Sequence, residues 1–310
     1  MLLNILFVIV GVVLVLWGAD RMTDGAVALA ERMNIPQIVI GLTVVAMGTS
    51  APELFVSLVS AIKGTPDLAV GNVVGSNIFN TLLIVGCAAI VAPLTMLKTT
   101  VKRDLPFVLF ASVLLLVLCI DTHITRWDAI VLFAFFLLYM FYTLKKTKQT
   151  EAEDGTEKKG YSPLKAVCFV ALGLACLIVG SNLFVNGATQ IASLLGVSEA
   201  VIGLTVVAGG TSLPELATSA VAARKGQSAI AIGNVIGSNI FNILMILGIT
   251  GMICPMQIQG ITTVDLAVMT LSVLLLWLFA FTKYKVARWE GVVLVLIFLT
   301  YMSWLISEAV

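Results

Sequence analysis

Residues 41–86 read GLTVVAMGTSAPELFVSLVSAIKGTPDLAVGNVVGSNIFNTLLIVG, and residues 203–248 read GLTVVAGGTSLPELATSAVAARKGQSAIAIGNVIGSNIFNILMILG. The two align without a gap, with 30 identities in 46 positions and a constant offset of 162. The same offset pairs Gly18 with Gly180 and Gly25 with Gly187, so the duplication reaches back into the preceding apolar segments. The chain is one unit written twice, and its fold follows from how the two copies meet.

Both copies lie in a strongly apolar chain: of 310 residues 60% are hydrophobic and 11% charged, far from the balance of a soluble globular protein. Crossing about 30 Å of hydrocarbon takes about 20 apolar residues. Ten runs qualify: 2–29, 36–62, 68–91, 105–120 and 127–144, then 164–194, 200–223, 228–253, 264–281 and 289–306. Five per unit is an odd number, so the second copy enters the membrane from the opposite face. The expected fold is an all-α polytopic membrane protein of ten transmembrane helices. It divides into two inverted repeats of five, 1–144 and 163–310, joined by a polar linker at 145–162 that is too short for a regulatory domain. Inverted repeats gather equivalent segments about a pseudo-two-fold axis in the membrane plane, which brings the best-matched pair together at the midplane.

The net charge of +1 carries no nucleic-acid footprint. Charge placement is informative. With the N-terminus outside, one face of the membrane receives Arg32, Lys98, Lys102, Arg103, the lysines of the linker, Arg224, Lys225, Lys283, Lys285 and Arg288. The other receives only Lys63 and Arg126. The positive-inside rule then puts both termini outside and the linker in the cytoplasm, in a plasma or inner membrane. Cys87, Cys119, Cys168, Cys176 and Cys254 form no C-x-x-C pair and read as packing residues. The first apolar run lacks a basic leader and has a partner in the second unit, so it reads as a span and not as a signal peptide.

Chemistry concentrates in the duplicated stretch. Gly48-Thr49-Ser50-Ala51-Pro52-Glu53 and Gly210-Thr211-Ser212-Leu213-Pro214-Glu215 fall in the middle of apolar helices. Proline lacks an N–H and crowds the carbonyl four residues back, so the second and seventh helices are expected to open near Gly48 and Gly210. Freed carbonyls in hydrocarbon need a partner, and a cation suits them. Glu53 and Glu215 strengthen the case, since an isolated carboxylate at the bilayer centre costs about 3 kcal/mol on insertion scales. Protonation or helix capping would explain one such glutamate. Two on symmetry-related helices point to a site. Asn72, Ser76 and Asn80, with Asn234, Ser238 and Asn242, repeat at i, i+4, i+8 along one face of the third and eighth helices. Asn72 and Asn234 suit polar contacts between helices, whereas Ser76, Asn80, Ser238 and Asn242 are expected opposite the two glutamates. All these donors are oxygens, the choice of hard cations such as calcium and sodium; zinc or copper would ask for His or Cys. His123, in a connection, reads as interfacial, and Arg21 is expected to pair with Asp24.

The paired GTS-x-PE and GN-V-x-GSNIFN motifs resemble the two alpha repeats of the cation/calcium exchanger superfamily, in its sodium/calcium exchanger branch with its prokaryotic members. The resemblance covers both halves. It implies a secondary transporter, not an enzyme, with no prosthetic group and with Ca2+ and Na+ as transported ions. Under it Glu53 and Glu215 are the central ligands, and Thr49 and Thr211 add backbone carbonyls and hydroxyls. Ser50, Ser76 and the Ala46 backbone oxygen complete sodium positions on one side; Ser212, Ser238 and the Ala208 backbone oxygen do so on the other. Asn80 lines the middle. Relatives often carry Asp where this chain has Asn242, and that Asp goes with potassium co-transport, so the resemblance implies potassium independence here.

The expected activity is antiport of sodium against calcium by alternating access, electrogenic if three sodium ions move per calcium, with a monomer as the working unit. Two rival readings use the same oxygens: proton/calcium antiport, since buried carboxylates carry protons, and a passive channel. An intramembrane protease is disfavoured because no cleavage constellation accompanies the carboxylates.

Overall fold

A computed structural model of the chain describes residues 1–147, 161–196 and 208–309. Most of the 145–162 linker and residues 200–207 of the seventh expected span lie outside the described residues. The first half contains α1 (Leu2–Met33), α2 (Gln37–Thr49), α3 (Ala51–Ile62), α4 (Pro66–Val91), α5 (Leu105–Leu118) and α6 (Arg126–Thr147). The second contains α7 (Pro163–Leu194), α8 (Ala208–Thr211), α9 (Leu213–Arg224), α10 (Ser228–Ile253), α11 (Thr263–Lys283) and α12 (Arg288–Ala309). Among the described residues seven helices are long and apolar enough to cross a membrane, and α2 with α3 makes one further span bent by 45°. Helix α5 is short at 14 residues and gains length from a π turn at Thr100–Asp104 that leads into it. The molecule is an all-helical membrane protein.

Helix ends are closed by local chemistry. The Asp265 carboxylate accepts from the Thr262 N–H and hydroxyl at the start of α11, and Asp128 accepts from the same two groups of Thr125 at the start of α6. Pro66 and Pro163 open α4 and α7, where a missing N–H costs nothing.

The sequence offset reappears as geometry. Ala51–Ile62 recurs as Leu213–Arg224, Pro66–Ile78 as Ser228–Ile240, and the π turn Phe79–Ile84 as Phe241–Ile246. Two-residue strands follow suit: β1 (Leu94–Thr95), β2 (His123–Ile124), β3 (Met256–Gln257) and β4 (Lys285–Val286). β1 pairs antiparallel with β4 and β2 with β3, so each pair joins the two halves and one becomes the other when the halves are swapped. Outer helices are tied alike, Tyr139 donating to Asp104 (3.3 Å) and Tyr301 to Asp265 (2.6 Å).

Within lipid no hydrophobic force draws helices together, so close contact depends on small residues. Gly11, Gly18 and Gly25, seven apart on α1, meet α7 at Gly180, Gly173 and Ala166. A Cβ added to Gly18 would lie 2.7 Å from the Gly173 carbonyl oxygen, and one on Gly11 2.7 Å from that of Gly180. The two long helices therefore touch backbone to backbone. They form the periphery, while α4 and α10 form the heart: 72% and 94% of their most apolar windows are buried, against 22% for α1 and α7. Toward one end of α1, Arg21 pairs with Asp20 at 2.7 Å, and Lys225, just beyond α9, reaches Asp20 at 2.6 Å and Asp24 at 3.0 Å. The acid expected opposite Arg21 is thus met by a lysine from the other half, because α9 ends beside α1.

Gly18→Val should overpack the α1–α7 contact and destabilise the protein by about 1–3 kcal/mol, whereas Val13→Ala, on the same helix at a position that is 60% exposed, should cost less than ~1 kcal/mol. Thermal unfolding of the two purified variants in detergent checks the contrast.

Candidate ion site

The break expected near Gly48 and Gly210 falls two residues later. Ser50 (φ −84°, ψ 6°) separates α2 from α3, and Ser212 (φ −89°, ψ 6°) separates α8 from α9. Each proline occupies the first turn of the new helix, where its ring is tolerated, so the departure from helical dihedrals shifts to the serine before that turn. The Gly48 carbonyl, four residues before Pro52, accepts a backbone N–H at the end of α2. That of Gly210 accepts a hydrogen bond from the Ser181 hydroxyl of α7.

The restart puts Glu53 and Glu215 in the first turns of α3 and α9, where the positive end of the helix dipole favours a carboxylate. Both side chains are 1% exposed. Their serine donors come crosswise. Ser212 donates to Glu53 Oε1 at 3.2 Å and Ser50 donates to Glu215 Oε1 at 3.0 Å. Ser212 also meets the Ser76 hydroxyl at 3.2 Å, while the buried Ser238 hydroxyl has no protein partner. The second carboxylate oxygens, Oε2 of Glu53 and of Glu215, have no protein partner, and neither does Oδ1 of Asn80. Asn242 is 1% exposed with both amide atoms unpartnered. Buried polar atoms without partners are rare in folded proteins, and one oxygen of each acid is among them.

Asn72 and Asn234 hold the breaks in place. Asn72 Nδ2 donates to the Glu53 carbonyl at 3.2 Å and to Ser57 at 2.9 Å; Asn234 Nδ2 donates to the Glu215 carbonyl at 3.3 Å and to Ser219 at 3.0 Å. Thr49 adds a bond to Asn234 Oδ1 at 3.0 Å, which ties the first break to the second half. The Ala46 carbonyl accepts from the Ser50 N–H at 2.9 Å and lies 3.3 Å from the Thr49 hydroxyl, whose single proton is shared with the Asn234 contact. Thr211 closes α8, and the side chain of Ala208 at its start lies outside the described residues. Among the described residues no group of three His, Cys, Asp or Glu occurs, so the donor set is two carboxylates among neutral oxygens.

Ser57, Ser219 and Asn239 escaped the reading of the sequence. Asn239 precedes Asn242 by three residues and so shares its helix face, a signal present in the GSNIFN motif. The two serines carry no such mark, since their role depends on which asparagine faces them.

Comparison with known proteins supplies the family. Residues 3–145 and 165–307 match the model of the sodium/calcium exchanger protein family. The putative antiporter CaxA of Alkalimonas amylolytica is 40% identical over 99% of this chain and 100% of its own length. The sodium/calcium exchanger MaX1 of Methanosarcina acetivorans is 32% identical over 96% of this chain and 97% of its own. A solved structure of the sodium-calcium exchanger NCX_Mj, soaked with Na+ and Sr2+, superposes with a TM-score of 0.87 at 33% identity, covering 97% of this chain and 98% of that one. Two halves, a shared fold over nearly the whole length and a family match in each half leave one assignment: the chain belongs to the sodium/calcium exchanger family.

Proposed function

We propose that this protein is a sodium/calcium antiporter, a secondary transporter and not an enzyme, whose single ion pocket is built around Glu53 and Glu215. The observation that carries the reading is the crosswise pairing of each buried glutamate with the serine at the opposite helix break, beside carboxylate and amide oxygens left without protein partners. One calcium or several sodium ions satisfy those oxygens. Both full sets at once do not fit, because the sets share Glu53 and Glu215. Ser50, Ser212, Ser76, Ser238, Thr49, Thr211, Asn80, Asn242 and the backbone oxygens of Ala46 and Ala208 complete the ligand set.

Competition for shared oxygens supplies the coupling. Two unneutralised carboxylates are costly in a water-excluded interior, so the empty pocket resists passage between its outward and inward faces, and either loaded form passes. Ten helices in two inverted repeats suit this cycle, because swapping the conformations of the repeats turns one access state into the other. We place both termini outside and the linker in the cytoplasm, with a monomer in the lipid bilayer as the working unit. With three sodium ions per calcium, one net charge crosses per cycle. Each 100 mV then contributes about 2.3 kcal/mol.

Glu53→Gln and Glu215→Gln should each lower sodium-gradient-driven calcium uptake in proteoliposomes by about 100-fold or more, since removing one partner of a buried charge pair costs ~3–5 kcal/mol. Wild-type uptake that follows a pH gradient and ignores sodium would favour the proton-coupled rival. Clamping the vesicle potential should shift the equilibrium calcium gradient about 50-fold per 100 mV, with no response to potassium beyond its effect on voltage. Asn242→Asp should introduce a potassium requirement. A protease site added at the C-terminus should be cut from outside in intact cells, whereas one placed in the linker should be protected.

A further inference from the structure

The ammonium of Lys225, just beyond the end of α9, is met by three oxygens from one turn of α1. Asp20 Oδ1 lies at 2.6 Å, the Asp20 carbonyl at 3.0 Å and Asp24 Oδ1 at 3.0 Å. An ammonium has three protons to donate, so this lysine is fully engaged by the other half of the molecule. Asp24 is 7% exposed, and a cavity of about 360 Å³ lined by Asp20, Thr23, Asp24, Val27, Lys225 and Gln227 adjoins the cluster. Helix α9 packs along α1 beside it.

The offset of 162 turns Lys225 into Lys63, Asp20 into Asn182 and Asp24 into Asn186, and it exchanges α9 with α3 and α1 with α7. Nothing of the cluster survives the exchange. Lys63, Asn182 and Asn186 are all exposed, and α7 does not pack along α3 as α1 packs along α9. One of two sequence-equivalent contacts is made and the other is not, and opposite charges stand only at the one that is made.

We propose that Lys225, with Asp20 and Asp24, is a one-sided latch: it holds α9 against α1 in this access state, and the lack of a counterpart in the other repeat biases the protein toward that state. The proposal rests on the alternating access inferred above and not on which ions are carried. When the two repeats exchange conformations, α7 takes up the contact with α3 and α1 leaves α9. The three bonds of Lys225 then break, and Lys63 arrives beside two amides that carry no charge. Water in the adjoining cavity reaches the freed ammonium and carboxylates, so the latch opens without leaving charge bare in lipid. An ion pair with that access to water contributes little more than an exposed one. Such modest strength suits a latch, since a much stronger bond would arrest the cycle.

Spin labels at Met33→Cys and Arg224→Cys, the last residues of α1 and α9, report the contact as a distance in lipid nanodiscs once the five native cysteines are replaced. In saturating calcium, where the loaded pocket passes between its faces, Lys225→Met should raise the ratio of long to short distances about fivefold. Asp24→Asn should shift it the same way, and serves if the lysine variant does not yield a monodisperse protein. Asn186→Asp should also raise the ratio, because it gives Lys63 an acid to meet in the exchanged state. Adding Lys63→Met should cancel that gain, and Lys63→Met alone should change nothing. An unchanged ratio in Lys225→Met and Asp24→Asn, or no gain dependent on Lys63 in Asn186→Asp, would overturn the proposal. Sodium-driven calcium uptake by the labelled parent in proteoliposomes separates the levels. Without uptake the exchanger reading fails; uptake with an unmoved distance ratio removes the latch alone.

Discussion

Two carboxylates are enclosed at the centre of a molecule built to sit in hydrocarbon, and the rest of the structure answers that constraint. An acid in such surroundings is stable only when its charge is met by dipoles, protons or cations. The broken helices supply the first of these, because each glutamate stands at the positive end of a restarted helix. The serine at each break supplies a second, reaching across to the glutamate of the other half. These neutral donors satisfy one oxygen of each carboxylate and leave the other open. In the reading proposed above, a cation completes this arrangement, which is the property a transporter needs.

Near-symmetry gives the pocket its form. The bonds from Asn72 to the Glu53 carbonyl and Ser57 are matched by those from Asn234 to the Glu215 carbonyl and Ser219. The strand pairs that tie the ends of the molecule obey the same swap. Departures from symmetry are as telling. Lys225 joins Asp20 and Asp24, whereas the offset gives its counterpart Lys63 only Asn182 and Asn186 in their place, and neither carries a charge.

Much of this was legible in the sequence because duplication writes each important residue twice. The glutamates, the prolines and the serine and asparagine ladder all stand out by recurring at a fixed offset in apolar surroundings. Less was legible where the outcome depends on a neighbour. The helix break moved from Gly48 to Ser50 because proline fits the first turn of a new helix. Arg21 pairs with Asp20 while Lys225 meets Asp24, since that lysine arrives from a segment about 200 residues away. Helix α5 begins where its apolar run begins but ends two residues early, where Cys119 leaves helical dihedrals.

By itself the sequence determined the solvent of the protein, its repeating unit and the oxygen chemistry of the proposed site, since hydropathy, offset and residue type are properties of the chain read in order. Only the tertiary structure decided which oxygens meet. Ser50 and Glu215 are 165 residues apart, Ser212 and Glu53 are 159, and no local pattern announces that each serine serves the opposite glutamate. Nor does the shared NIFN motif say that Asn239 will turn toward Thr81 while Asn77 turns back on its own helix. A hydrogen bond is short and directional, so the same four letters act differently according to the one side chain that faces them across the interface.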